Sequence, residues 1–261
     1  MACFSIWEIR KYMNDLYNPF PSLYHCHHQN FTEDLAFWQS LARWQGDPIL
    51  ELGCGTGRIL IPLAQAGHEV YGIDNSHAML AFLKQRIPID LQSNIHLIEA
   101  NMLDFQIDAE FRMVLLPCNT YSTFDAQARA RMLARIFQQL KPGGVFAVSM
   151  PSPNLLRALQ TNEDADVEAI FSHPDTGNPV QVSSTWEKQE NLVKINWHYD
   201  HLLPDGKIER VTASIPHYLA TLEDYVTEMI SAGFTIQSTY RNFETGSYKP
   251  DASYLIIIAQ K

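Results

Sequence analysis

A surplus of positive charge is missing from this chain of 261 residues: 19 lysines and arginines face 29 aspartates and glutamates, a formal net charge of −10. No basic run is available to neutralise phosphates, which argues against nucleic acid and against an anionic membrane surface as the partner. Small molecules are the expected partners. Cysteine is scarce as well. Cys3, Cys26, Cys54 and Cys118 show no paired spacing, so reduced thiols and a cytoplasmic location are expected. No apolar run approaches the ~20 residues that span a bilayer. Residues 1–10 lack a charged segment ahead of an apolar one, so no secretory signal is expected there. Internal repeats and low-complexity tracts are also lacking. The length suits one α/β domain with an insertion, as a monomer or a homodimer.

What is present is organised around residues 49–58, Ile-Leu-Glu-Leu-Gly-Cys-Gly-Thr-Gly-Arg. An apolar run interrupted only by Glu51 ends in Gly53, Gly55 and Gly57, and an amphipathic pattern (Ile59, Leu60, Leu63, Ala64) follows as far as Gly67. This is the order of a buried strand, a glycine turn and a helix. Glycine lets the backbone turn sharply and approach a ligand, and the helix start offers free N–H groups towards it. A dinucleotide-binding turn, Gly-x-Gly-x-x-Gly, needs glycine at position 58, where Arg58 stands. Residues 69–74 form a second predicted strand ending in Asp74, placed to accept from both ribose hydroxyls of a nucleoside. Asn75 and Ser76 follow as the cap of the next helix.

The pattern Glu-x-Gly-x-Gly-x-Gly resembles the first motif of the class I S-adenosylmethionine-dependent methyltransferases. That resemblance implies that Glu51 reads the amino group at the methionine end of the cofactor, with Gly53, Gly55 and Gly57 passing beneath it. Asp74 and Asn75 complete the ribose side. After a third strand at 94–99, Asn101 and Met102 occupy the adenine position, with Asn101 where the family usually has Asp. After a fourth strand at 111–117, Cys-Asn-Thr-Tyr-Ser-Thr-Phe resembles the family's Asn-Ser loop beside the transferable methyl group. Pro117 would supply backbone there, while Asn119 and Tyr121 reach towards the acceptor. The turn Leu-Lys-Pro-Gly-Gly at 140–144, ahead of a fifth strand at 145–150, is a further point of likeness.

The implied fold is a doubly wound, mostly parallel seven-stranded α/β sheet (Rossmann-like, last strand antiparallel) with a small antiparallel β lid. Residues 1–46 form an N-terminal lid and helical segment, 47–150 the S-adenosylmethionine-binding core, 151–217 the inserted sheet and 218–261 the completion of the core. Tyr17 and Tyr24 are candidate lid residues. His25-Cys26-His27-His28 reads as a polar loop, since four adjacent residues cannot converge on one ion, and no metal is expected. The acidic stretch 163–168 reads as a solvated loop or helix face. Three β-rich segments at 180–187, 192–203 and 207–215 form the insertion, and Val193, Ile195, Trp197 and Tyr199 share one face. Such a roof is similar to that of amino-sugar N,N-dimethyltransferases, where a His-Tyr pair resembles His198-Tyr199.

These features imply in-line transfer of a methyl group from S-adenosyl-L-methionine, leaving S-adenosyl-L-homocysteine, to nitrogen or oxygen of a small molecule. Trp197 and Tyr199 join Asn119 and Tyr121 as acceptor contacts. His198, Tyr199, His201, His217 and Tyr218 are the candidates for a base, and no one of them stands out. A cofactor-binding protein without turnover stays open because of Asn101 and of Arg112, where the family commonly has Asp. An NAD-dependent oxidoreductase is disfavoured by Arg58 and by the lack of a Tyr-x-x-x-Lys spacing. A nucleic-acid methyltransferase is opposed by the charge and by Pro117-Cys-Asn-Thr in place of Asn/Asp-Pro-Pro-Tyr/Phe.

Overall fold

The computed structural model describes residues 21–261. In chain order the helices and strands are α1 (Pro21–His28), α2 (Leu35–Gln45), β1 (Ile49–Leu52), α3 (Leu60–Gln65), β2 (Val70–Asp74), α4 (His77–Arg86), β3 (Ile95–Glu99), β4 (Phe111–Leu116), α5 (Ala126–Gln139) and β5 (Leu140–Pro151). Then follow α6 (Pro153–Ala158), β6 (Asn162–Ser172), β7 (Pro179–Lys188), β8 (Leu192–Leu202), β9 (Ile208–Tyr218), α7 (Leu222–Ser231), β10 (Thr235–Tyr240) and β11 (Tyr254–Gln260). The main sheet has seven strands in the order β10-β11-β5-β4-β1-β2-β3, and β11 runs antiparallel to both of its neighbours. The expected fold class is observed.

Every residue of β1 is buried, as are the last four of β4, because helices cover both faces of the sheet. On one face α5 and α7 bring Met132, Leu133, Ile136, Tyr225 and Met229 against Leu50, Val114 and Phe146. On the other, α2, α3 and α4 bring Trp38, Leu41, Leu60, Leu63 and Leu83 against Ile49, Met113 and Leu115. Trp44, which the helical spacing assigns to the buried face of α2, is instead 81% exposed at the end of the helix. Thr221 and Asp224 form a capping box at the start of α7.

Three readings of local structure change. Residues 25–28 lie in a helix rather than a loop; Pro21 opens α1 at the position where a missing N–H costs nothing. The acidic stretch 163–168 lies in β6, a fourth strand of the inserted sheet, whose order is β6-β7-β8-β9. Its side chains are mostly exposed, so the segment carries no alternation, and its strand state comes from pairing with β7. Charge on an edge strand is a common protection against further pairing. Finally, the segment 140–144 is absorbed into the start of β5, with the register against β4 shifting between Phe111 and Met113.

Candidate functional site

The chain leaves β1 towards β2 on one side of the sheet and β4 towards β5 on the other, so the carboxyl ends of β1 and β4 border a crevice. The glycine turn enters it from β1 and residues 117–119 enter it from β4. At Gly57 φ is +82°, and a Cβ there would stand 2.3 Å from Leu83 Cδ1. Only glycine allows the turn to seat so closely on α4.

Glu51 is only 3% exposed, and among the described residues its Oε2 has no hydrogen-bond partner. Burial pushes its carboxyl well above the usual range and the charges of Asp34 and Asp74 push it further, while Arg58 and the Leu60 amide oppose them. A buried acceptor without a donor is costly, and a bound cation removes that cost. Asp74, at the end of β2, accepts from the Gly55 amide at 2.8 Å and the Ser76 amide at 2.9 Å, with the Asn75 amide also acting on it. Burial raises its pKa and the three amides hold it down. The glycine turn and Asp74 are thus tied together directly. Met102 lies against Gly53, its Cε 3.3 Å from where a Cβ would be. The Asn101 Oδ1 closes a local turn by accepting from the Leu103 amide at 2.9 Å, which uses one of its two lone pairs. Pro117 ends β4 at the same crevice, and Cys118 and Asn119 after it are left-handed, with φ of 61° and 66°.

Arg58, significant in the sequence only for excluding a dinucleotide turn, is a structural hub. It donates to both oxygens of Asp34 at 2.6 and 2.8 Å, to the Phe31 carbonyl at 2.8 Å and to Cys118 Sγ at 2.6 Å. Trp38 Nε1 gives Asp34 a third donor at 3.0 Å. Asp34 is 1% exposed and fully satisfied. Helix α1 lies above the turn: Tyr24 Cε1 is 4.0 Å from the position of a Cβ on Gly55, and His25 Nδ1 is 3.4 Å from Thr56 Oγ1. Tyr17 lies outside the described residues.

The other side of α1 meets the inserted sheet. His27 Nδ1 is 3.0 Å from the Tyr199 hydroxyl, and its ring meets Trp197 edge-on at 5.1 Å. Leu23 packs with Val180, Val182, Tyr199 and Ala213. Burial drops His27 to about 4 and, with His27 and Arg58 beside it, His28 to about 3. Trp197 and Tyr199 therefore share the face turned to α1, and Tyr199 anchors that helix. Tyr121 is not brought to the crevice surface: its ring is fully buried between Phe146 and Tyr225. His198 lies on the opposite face of β8, with Nδ1 2.9 Å from Thr212 Oγ1 and Nε2 3.2 Å from Thr185 Oγ1. His201 sits near the far end of β8, stacked on His173 and bonded to Thr176. Tyr218 is half-buried, and the charge of Asp125 adds to the effect of burial in raising its pKa. His217 of β9 is buried against the turn after β4, with Nδ1 2.9 Å from Ser122 Oγ. Asp34 opens a helical pattern in the sequence and Ser122 lies in the stretch that resembles the family's Asn-Ser loop, but their partners, Arg58 and His217, are shown only by the fold. Among the described residues, no group of three or more potential ligands is arranged to hold a metal, and no helix is long and apolar enough to cross a membrane.

The arrangement fits a ligand with positive charge at one end and a nucleoside at the other. The Glu51 oxygen left unpaired among the described residues can accept from a cationic group, the Asp74 carboxylate stands at the glycine turn, and Arg58 is already paired with Asp34. Comparison with known proteins agrees. Residues 49–144 match the model of a methyltransferase domain. The trans-aconitate 2-methyltransferase of Acidovorax sp. (strain JS42) is 31% identical over 191 residues, covering 71% of this chain and 67% of the relative. An S-adenosylmethionine-dependent methyltransferase of Clostridium acetobutylicum superposes with a TM-score of 0.76 at 15% identity, covering 93% of this chain and 99% of the other. A sugar N-methyltransferase of Streptoalloteichus superposes with a TM-score of 0.71 at 18% identity, covering 100% and 95%.

Proposed function

We propose that this chain, which belongs to the class I S-adenosylmethionine-dependent methyltransferases, methylates a nitrogen or oxygen of a small-molecule acceptor that is uncharged or cationic. The observation that carries this reading is the roof: β8 and β9 present Trp197 and His217 on the face that meets α1 and the turn after β4, so the acceptor space is bounded above as well as below. A bounded space suits a small acceptor and excludes water from the transfer. Bound in the crevice, S-adenosylmethionine supplies an activated methyl group on a sulfonium sulfur.

The chain's own residues then have separate tasks. Glu51 Oε2 holds the amino group. The turn at Gly53, Gly55 and Gly57 gives the backbone room, Asp74 and the adjacent Asn75 hold the ribose, and Asn101 and Met102 border the adenine. Pro117 shapes the wall by the methyl group, and Asn119 and Trp197 face the acceptor. Tyr121 and Tyr199 act one step away, as wall and anchor. Two relatives point to different acceptors, one named for trans-aconitate and one for a sugar nitrogen. Charge favours the second type: Arg58 is engaged by Asp34, and the nearby Arg129 is held by Glu228 at 2.6 and 2.7 Å. A polycarboxylate would find no unengaged arginine among these, beside carboxylates that repel it.

The test is a transfer screen with isotope-labelled methyl donor over amino sugars, small amines, phenols and polycarboxylic acids, read by mass spectrometry. Turnover on an amine or hydroxyl is expected. Turnover confined to polycarboxylates would overturn the charge argument. Tight cofactor binding with no turnover on any acceptor would favour a regulatory protein.

A further inference from the structure

We infer that His217 is the residue that takes the acceptor's proton, and that Ser122 and the Asn119 carbonyl fix its ring in the tautomer that can do so. This rests on the acceptor reading above. Cross-strand partners share a face of a sheet. The register pairs Tyr199 with Val211, Trp197 with Ala213, Ile195 with Ile215 and Val193 with His217. His217 therefore stands on the same face as Trp197 and Tyr199, at the end of the sheet that comes down on the turn Thr120–Thr123.

Hydrogen-bond counting assigns the tautomer. The Ser122 hydroxyl has one proton and donates it to the Asn119 carbonyl at 2.8 Å. Its oxygen is 2.9 Å from His217 Nδ1, so that contact requires the ring nitrogen to donate. A neutral ring with its proton on Nδ1 keeps a lone pair on Nε2. Among the described residues Nε2 has no hydrogen-bond partner, and it is not one of the sealed, unpaired atoms, which are Glu51 Oε2, His68 Nε2 and Tyr121 Oη. The carbonyl that fixes this chain of bonds belongs to Asn119, the second of two successive left-handed residues. Such backbone is strained and is typically kept where a site requires it.

The competing histidines lack this freedom. Both nitrogens of His198 are engaged by threonines, and His201 is held by Thr176 with Glu209 nearby. The groups that face His217 (Ser122, the Asn119 carbonyl and Val193 across the strand) carry no charge, and burial alone lowers its pKa, to about 4. The ring is thus neutral at physiological pH. In the transfer the acceptor atom gives its lone pair to the incoming methyl carbon, whose former bonding electrons stay on the sulfur it leaves. The acceptor's surplus N–H or O–H proton passes to Nε2 and from there to water, restoring the neutral ring.

The test compares two isosteres. His217→Asn keeps an N–H near the Nδ1 position but has nothing at Nε2; His217→Gln places an acceptor near Nε2. On the acceptor found by the screen, His217→Asn is expected to lower kcat by about 10²-fold or more, with His217→Gln retaining more activity and both binding S-adenosylhomocysteine like the parent. The parent's activity should persist below the ordinary histidine range, and that acid limb should change in the variants. Nitrogen-15 NMR of the imidazole in the unliganded protein supplies a readout independent of turnover and of variant folding: protonated Nδ1 and bare Nε2 are expected. A protonated Nε2 with bare Nδ1, or full activity with an unchanged pH profile in His217→Asn, would overturn the inference. Failure of the parent to bind S-adenosylhomocysteine would instead overturn the cofactor reading on which it rests.

Discussion

Replacing Glu51 by Gln should weaken cofactor binding while leaving the unliganded protein at least as stable at neutral pH. The two effects have opposite signs because the same buried carboxylate is costly when the site is empty and useful when it is filled. Burial raises the folded pKa above the ordinary value of 4.5, so the folded protein holds that proton more tightly than the unfolded chain. The stability gained this way is fully present below pH 4.5 and is lost as pH rises through the folded pKa. Glutamine has the same shape, carries no charge and still accepts from the Leu60 amide, so the variant should lose that decline. On binding, it exchanges a charge-assisted hydrogen bond to an ammonium group for a neutral contact. Bonds to charged groups contribute about 1.5–3 kcal/mol, which is roughly 10- to 150-fold in affinity. Calorimetric titration with S-adenosylhomocysteine, paired with urea unfolding across pH, measures both. Unchanged affinity, or a loss of more than about 1 kcal/mol of stability at pH 7, would refute the assignment of Glu51.

Arg58→Met should destabilise the protein by about 3–5 kcal/mol in urea unfolding, because it leaves Asp34 buried with Trp38 as its remaining side-chain donor. Gly57→Ala combines a left-handed backbone with a Cβ in contact with Leu83; about 1–2 kcal/mol of strain and about 1–3 of overpacking should appear as a lowered urea midpoint. Stability should also fall as pH drops below 6.5, because unfolded histidines take up protons before buried His27 and His28 do. Each contributes about 1.4 kcal/mol per pH unit until its folded pKa is reached, and His27→Gln should reduce that slope in unfolding measured from pH 7 to pH 5.

The main sheet was legible in the sequence because its strands are short apolar runs with glycine or acid at their carboxyl ends, as at 49–53 and 70–74. Those same ends border the crevice, so Asp74 could be singled out from its place after the second strand and Glu51 from the resemblance of its glycine motif. The acceptor side was less legible. Tyr121 sits in a loop that approaches the site, but which way its ring turns depends on the space between α5 and α7. His198 and His217 look alike in sequence; only the register of β8 against β9 puts them on opposite faces. Strand β6 was missed because an edge strand with exposed charges has no apolar alternation, and its partner lies beyond a long turn. The Asp34–Arg58 pair joins segments that are distant in the chain, and no local pattern signals it.

The most direct measurement is calorimetric titration of S-adenosylhomocysteine and NAD, separately, into the purified full chain. The acidic crevice, with Glu51 Oε2 unpaired and Arg58 already engaged, predicts saturable binding of S-adenosylhomocysteine at one site per chain and no heat from NAD. Binding of NAD without S-adenosylhomocysteine, or of neither, would contradict the account.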